Sequence, residues 1–227
     1  MASSALFIAF MGGLIPSLLW LSFWLLEDRC EPEPKKYLFI TFFAGMLAVI
    51  AVLPPERYFI GVLSGAPLLL VWAILEETFK IAAALIALRS RALDEPLDTV
   101  IYMVTAALGF AAMENALFLV GPLQDGHAIN TILTGDLRFI GATLLHVLAS
   151  GTVGLAMAFA FSRGVAMRRG FFVGGLILAI ALHTLFNILI LKGGAPVMFS
   201  AFVCIWAGIV AVLFLTERIK QPARDYC

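Results

Sequence analysis

Charged residues are scarce in this sequence, and neither sign predominates. Only 13% of the 227 residues are Asp, Glu, Lys or Arg, against about 25% in a typical soluble domain. The 15 basic residues balance the 15 acidic ones, so the chain lacks the positive field that nucleic-acid-binding proteins present to phosphates. We therefore expect no nucleic acid among its partners.

Cysteine is also scarce, and the three cysteines match no metal-binding spacing. Cys204 lies in an apolar run, whereas Cys30 and Cys227 lie in segments that the charge bias described below places in the reducing cytoplasm. Disulfides do not persist in that compartment. The sequence therefore predicts no disulfide.

Apolar residues, by contrast, make up 62% of the chain, whereas soluble domains contain roughly 45 to 50%. This excess excludes a soluble enzyme, a secreted disulfide scaffold and a disordered tail. Because a spanning helix takes about 20 mostly apolar residues, the composition is enough for about seven spans. We predict an all-α polytopic membrane protein in which residues 1–227 form a single transmembrane helical domain. The predicted spans are residues 6–26, 37–53, 67–88, 97–120, 138–162, 171–191 and 197–216.

The segments between the spans combine charge with proline and glycine, which interrupt helices. The predicted loops are EDRCEPEPKK, PPERY, RSRALDEP, GPLQDGHAINTILTGD, SRGVAMRRG and KGGAP. Residues 59–66 are interpreted as an interfacial lead-in, which Pro67 separates from the third span.

Basic residues predict the orientation, because cytoplasmic loops carry the excess of Lys and Arg. Eleven of them fall in the first, third and fifth loops and the C-terminal tail, and three fall on the opposite side. The N-terminus is therefore predicted outside and the C-terminus in the cytoplasm. The first residues lack the positive region of a cleavable signal peptide, so we expect the first span to be retained.

Ionisable side chains occur inside the apolar runs, where each costs roughly 2.5 to 3.5 kcal/mol to insert. These side chains are Glu76, Glu77, Lys80, Glu114, His146 and His183, with Asn115, Ser150 and Asn187 as polar neighbours. At 1.5 Å per residue, the two histidines lie about 12 Å, Glu76 about 14 Å and Glu114 about 9 Å from the outer ends of their helices. Four helices therefore contribute to one layer, which predicts a site reached from the extracytoplasmic side.

Buried carboxylates and imidazoles suit hydrolysis, because a base must take a proton from water and donors must stabilise the oxyanion. The same groups can bind a metal, since two His and one Glu are a common catalytic zinc shell. Here the metal ligands would be Glu114, His146 and His183. Catalysis without a cofactor and catalysis with Zn²⁺ both stay open.

Two other classes of protein are consistent with these residues. An ion- or proton-coupled transporter also uses buried Glu, Lys and His, although the sequence has no inverted repeat and the polar layer lies toward one face. A catalytically silent scaffold would tolerate alanine at every one of these positions.

The strings EETFK, EPLDTVIYMVTAALGFAAMENALFL and HTLFN, with a His-bearing helix before the last, resemble the PrsW family of intramembrane proteases. The resemblance covers about residues 75–187, and the layout is similar to that of the type II CAAX prenyl endopeptidase and bacteriocin-immunity group. It implies an enzyme of a prokaryotic plasma membrane that hydrolyses a peptide bond of a membrane-protein substrate. The family prototype makes the first cut in an anti-sigma factor, so such a factor is the substrate that the resemblance suggests.

The family motifs match this sequence residue by residue. The matched positions are Glu76, Glu77 and Lys80 in the first motif, Phe110, Glu114 and Asn115 in the second, His146 in the third, and His183 and Asn187 in the fourth. The second motif ends in Glu, as in PrsW, whereas the fourth ends in Asn, as in the CAAX group. PrsW proteins are classed with metallopeptidases and the CAAX enzymes are thought to work without metal, so the resemblance leaves the metal question open.

We predict from these residues that Glu76, with His146, activates water for attack on a peptide carbonyl, and that Glu77 and Lys80 orient and tune that pair. Adjacent residues point about 100° apart on a helix, so one glutamate of the two faces the water.

The remaining candidates complete the predicted site. His183 with Asn187 is expected to stabilise the oxyanion. Glu114 is expected to act as a second acid and base, or as a metal ligand beside the histidines.

Overall fold

The computed structural model describes residues 2–27, 31–90, 92–126 and 141–220. This part of the chain contains helices and no strand, which confirms the all-α prediction. The seven helices are α1 (Ala2–Glu27), α2 (Lys35–Ile60), α3 (Gly65–Leu88), α4 (Pro96–Gln124), α5 (Thr143–Phe159), α6 (Val165–Lys192) and α7 (Ala195–Ile219).

Five of these helices, α1, α2, α4, α6 and α7, are long and apolar enough to cross a membrane. Helix α3 has 24 residues but carries three charged ones near its middle, and α5 is a shorter apolar helix of 17 residues. Large apolar side chains on the outer helices are exposed, as expected where lipid replaces water. The protein is therefore a polytopic membrane protein, and its predicted orientation stays a prediction.

Helix α4 lies at the centre of the bundle, where it packs against α1, α2, α3, α5 and α7. Glycine allows two of these contacts to be very close. A β-carbon on Gly109 would overlap the carbonyl oxygen of Phe42 in α2, and one on Gly154 of α5 would lie 2.7 Å from the Cα of Val100. Small residues allow membrane helices to approach in this way.

The start of α4 is determined by proline and by acidic caps. Pro96 occupies the first turn, where its missing N–H is not needed, and the backbone N–H groups of Asp94 and Glu95 donate to Oδ2 of Asp98 at 2.8 Å each. One turn further along, the Tyr102 hydroxyl donates to the buried carboxylate of Glu33. These contacts connect α4 to the segment that precedes α2.

The predicted loop at PPERY is wrong, because α2 continues through both prolines to Ile60. Proline is tolerated inside membrane helices when neighbouring groups compensate for the lost backbone hydrogen bonds. The proposed lead-in at 59–66 is also wrong. Its first two residues end α2, and after a turn α3 begins at Gly65, whose φ of 63° favours glycine.

Two further loop predictions are wrong in part. Within SRGVAMRRG, helix α6 already begins at Val165, because its arginines are good helix formers. Helix α4 continues through Pro122 to Gln124, four residues beyond the predicted span. The predicted span 138–162 begins outside the described residues and its helix ends at Phe159. Cys30 and Cys227 also lie outside the described residues, and Cys204 is a free cysteine on α7.

Candidate active site

Helices α3, α4, α5 and α6 surround a buried polar network, and Glu77 of α3 connects three of them. Its Oε1 accepts from Lys80 Nζ at 2.7 Å and from His183 Nδ1 of α6 at 2.7 Å, while its Oε2 accepts from Ser150 Oγ of α5 at 3.4 Å. Glu77 is fully buried. Both of its oxygens are therefore engaged by protein donors.

Lys80 also connects α3 to α5. Its ammonium lies 2.7 Å from His146 Nδ1 and 4.7 Å from the centre of the Phe110 ring, an attractive cation–π distance. An ammonium group can only donate, so Nδ1 of His146 accepts and the ring proton is on Nε2. Nε2 lies 3.0 Å from Oε2 of Glu114 in α4 and donates a hydrogen bond to that oxygen.

His183 has the opposite arrangement of its ring nitrogens. Because a carboxylate accepts hydrogen bonds, the contact with Glu77 places the ring proton on Nδ1. Nε2 of neutral His183 then has a free lone pair, and it lies 3.7 Å from Glu76 Oε2. The two imidazole rings lie edge to face, with centroids 5.3 Å apart.

Glu76 differs from its neighbour Glu77 because one of its oxygens is buried without a hydrogen bond. The residue is only 6% exposed, and no hydrogen-bond donor for Oε2 is found among the described residues. Its nearest cationic group is Lys80 Nζ at 3.8 Å. A buried carboxylate oxygen without a donor is costly, so this oxygen is suited to contact water, a cation or a substrate.

The donor set also fits a divalent metal ion. Glu76, His146 and His183 each offer a ligand atom, and these three atoms lie within 4.8 Å of one another. Each histidine also hydrogen-bonds a carboxylate through one ring nitrogen: His146 contacts Glu114, and His183 contacts Glu77. Such contacts orient metal-binding imidazoles in known sites. The sequence placed Glu114 among the three ligands, whereas the structure groups Glu76 with the histidines.

Lys80 occupies part of the same space. Its ammonium hydrogen-bonds Nδ1 of His146, which is the imidazole nitrogen that Glu114 leaves available. Ligation of a metal by that nitrogen requires the Lys80 side chain to turn toward Glu77, to which it is already bonded at 2.7 Å.

Two of the sequence-derived candidates lie apart from this network. Asn187, one turn after His183, is half-buried, and its side chain forms no hydrogen bond to another described residue. Asn115 donates from Nδ2 to Thr143 Oγ1 at 2.8 Å, which connects α4 to α5. The other charged and imidazole candidates meet in one network.

Glu56 is a residue that the sequence reasoning missed. It is half-buried near the end of α2, its backbone carbonyl accepts from the Trp72 indole at 3.4 Å, and its carboxylate interacts electrostatically with Glu76 and Glu114. Trp72 precedes Glu76 by one helical turn, so this contact brings the end of α2 close to the site. Glu56 was assigned to a loop from the sequence and so was not considered. Its position at the end of an apolar run was the feature that could have indicated a place near the membrane site.

Comparison with known proteins agrees with the motif resemblance. The sequence profile of the PrsW family intramembrane metalloproteases matches residues 33–215. Protease PrsW of Bacillus subtilis (strain 168) is 30% identical over 121 residues, which are 51% of this chain and 56% of that relative. Protease PrsW of Geobacillus kaustophilus (strain HTA426) is 27% identical over 194 residues, 82% of this chain and 81% of the relative.

The chain thus spans little more than half the length of the first of these relatives, and no solved structure gives a significant match. The family profile, however, covers most of the chain, including all four helices that surround the polar network. On this match, the chain belongs to the PrsW family of intramembrane metalloproteases.

Proposed function

We propose that this protein is an intramembrane endopeptidase that hydrolyses a peptide bond of a membrane protein near the extracytoplasmic face. Family membership supports the reaction class. The observation that carries the assignment to this site is the buried Oε2 of Glu76, which has no hydrogen-bond donor in the described part of the chain and lies 3.7 Å from His183 Nε2.

Glu76 is proposed as the group that accepts the proton of the attacking water. Nε2 of His183 accepts a hydrogen bond from the same water and orients it, because Glu77 fixes the ring through Nδ1. The water oxygen bonds to the peptide carbonyl carbon, and the electron pair of the C=O bond moves to oxygen. When the C–N bond breaks, Glu76 returns the proton to the leaving amine.

Lys80 is proposed as the donor that stabilises the oxyanion, in place of the His183 and Asn187 pair expected from the sequence. With its ring proton on Nδ1, neutral His183 has no proton on Nε2, and the Asn187 side chain makes no hydrogen bond to the described residues. The Lys80 ammonium is fully buried, and such a cation stabilises developing negative charge more strongly than one in water.

A bound divalent metal, for which Zn²⁺ is the proposed ion, would be held by Glu76, His146 and His183 and would supply Lewis-acid activation of water. Glu114 and Glu77 would then orient the two imidazoles through the bonds described above. In either case the unpaired oxygen of Glu76 is the central group.

The finer assignment concerns the substrate and the membrane. We propose a single-span membrane protein of a prokaryotic plasma membrane as substrate, and an anti-sigma factor is the class that the PrsW resemblance suggests. The cut would lie toward the extracytoplasmic side, where the sequence places the polar layer.

The test is an assay of both rival activities on one preparation. Detergent-purified protein is incubated with a single-span membrane substrate, and the same protein in proteoliposomes is tested for ion uptake. Cleavage that Glu76→Gln abolishes, without uptake, supports the proposal. Ion uptake that requires Glu76, without cleavage of any substrate, would replace it with a transporter.

A further inference from the structure

A cavity lies far from the active site, between the connection of α3 to α4, the end of α5 and the start of α6. Its volume is about 270 Å³. Met157 lies eleven residues after His146 in α5, and Phe172 lies eleven residues before His183 in α6. At 1.5 Å per residue, the cavity is therefore about 16 Å along these helices from the active site.

The walls and the rim of this cavity differ in chemistry. Leu93, Met157, Phe161 and Phe172 supply apolar walls, and two adjacent arginines, Arg168 and Arg169, also line it. Both arginines are exposed, and neither guanidinium group forms an ion pair or hydrogen bond with a described residue. An apolar chamber with two unpaired guanidinium groups at its edge matches an amphiphile that has an acyl chain and an anionic head.

The position in the chain narrows the class of ligand. The arginines lie in the first turns of α6, at the end of the bundle that the distribution of Lys and Arg places at the cytoplasmic surface. Basic pockets between helices on that side suit anionic headgroups, and a guanidinium group binds phosphate through two parallel hydrogen bonds. Free inorganic phosphate would leave the apolar walls without a partner.

We infer that this cavity binds one anionic phospholipid of the adjacent leaflet, with its phosphate on Arg168 and Arg169 and an acyl chain between α5 and α6. The inference does not depend on the proposed protease activity. Helices α4, α5 and α6 all border the cavity, and they carry Glu114, His146 and His183. A lipid bound there stabilises the relative positions of three helices that form the active site.

The test is thermal unfolding of the detergent-purified full chain titrated with short-chain phosphatidylglycerol. Matched titrations use short-chain phosphatidylcholine and inorganic phosphate. We expect phosphatidylglycerol alone to raise Tm in a saturable way. In the double variant R168Q/R169Q we expect the apparent Kd to weaken about tenfold or more, because charge-assisted hydrogen bonds to phosphate are lost.

Two control variants make the result specific. Arg163→Gln removes one charge just before the start of α6. Because Arg163 does not line the cavity, the phosphatidylglycerol effect should persist. Met157→Trp fills the chamber and should abolish the rise of Tm with phosphatidylglycerol while both arginines are intact. This variant therefore tests the inference even if the double variant does not fold. Equal effects of both lipids, an equal effect of inorganic phosphate, or an equal loss in Arg163→Gln would overturn the inference.

Discussion

Nδ1 of His183 lies 2.7 Å from Oε1 of Glu77, and this contact separates the roles of two adjacent glutamates. Glu77 also accepts from Lys80 and Ser150, so its carboxylate is enclosed by donors from the protein. Glu76, one residue earlier, faces the other nitrogen of the same histidine with an oxygen that lacks a donor among the described residues. We therefore propose that Glu77 acts mainly through positioning, and that Glu76 is available to the reaction.

The first prediction concerns stability. Glu77→Gln removes the anion that neutralises the fully buried Lys80, and breaking a buried ion pair in this way costs about 3 to 5 kcal/mol. Glu76→Gln should cost much less, because no donor is lost from its Oε2. Thermal unfolding in detergent measures both, with Glu217→Gln at an exposed position on α7 as control. Equal destabilisation by the two substitutions would refute the division of roles.

The second prediction concerns Glu114. This residue is 19% exposed and binds Nε2 of His146 at 3.0 Å. Loss of such an orienting carboxylate typically lowers activity about 10- to 100-fold, so Glu114→Ala should reduce kcat/KM by that factor. Glu114→Gln keeps an acceptor oxygen and should retain more activity. If both variants were as inactive as Glu76→Gln, Glu114 would belong to the reacting groups themselves.

The third prediction concerns helix packing. Gly109→Ala introduces a methyl group where the Phe42 carbonyl oxygen lies, and overpacking of this kind typically costs about 1 to 3 kcal/mol. The matched control is Gly121→Ala in the same helix, where no described atom lies within 4 Å of the added carbon. Because alanine favours helix by up to about 1 kcal/mol over glycine, this control should raise Tm. A neutral effect of Gly109→Ala would contradict the close contact between α2 and α4.

The fourth prediction concerns metal binding. Purified protein dialysed against Zn²⁺ should retain about one ion per chain by elemental analysis, since the site supplies three ligand atoms within 4.8 Å. Glu76→Gln and His183→Ala should each lose the ion, whereas Asn187→Ala should keep it. If wild-type protein without a bound ion cleaves the substrate, and chelators do not inhibit this cleavage, these residues work without metal.

The sequence predicted the seven helices of the described residues, and the meeting of the charged and imidazole side chains, for clear physical reasons. Apolar runs near 20 residues require helices in a membrane, and ionisable groups within them must face one another because facing lipid is costly. Helix ends were harder to predict. The prolines of PPERY were interpreted as a break, although a membrane helix can accommodate them, as α2 does.

The roles within the site could be predicted less well than its membership. Glu76 and Glu77 are adjacent and chemically identical, so only the positions of Lys80, Ser150 and His183 distinguish them. The spacing of His183 and Asn187 suggested a functional pair. A separation of four positions on one helix, however, does not determine whether both side chains reach the same partner. Such distinctions depend on contacts between helices, which no local pattern contains.

The most direct test of the central claim compares wild-type protein and Glu76→Gln at equal concentration. Both are incubated with the same single-span membrane substrate in ¹⁸O-labelled water. Mass spectrometry of the fragments measures the cleavage rate and the ¹⁸O that each fragment has incorporated. We predict that wild-type products carry ¹⁸O at the new carboxyl terminus, and that Glu76→Gln, folded with a Tm close to that of wild type, is slower by about 100-fold or more. Cleavage by Glu76→Gln at the wild-type rate would contradict the assignment of Glu76 as the group that activates water.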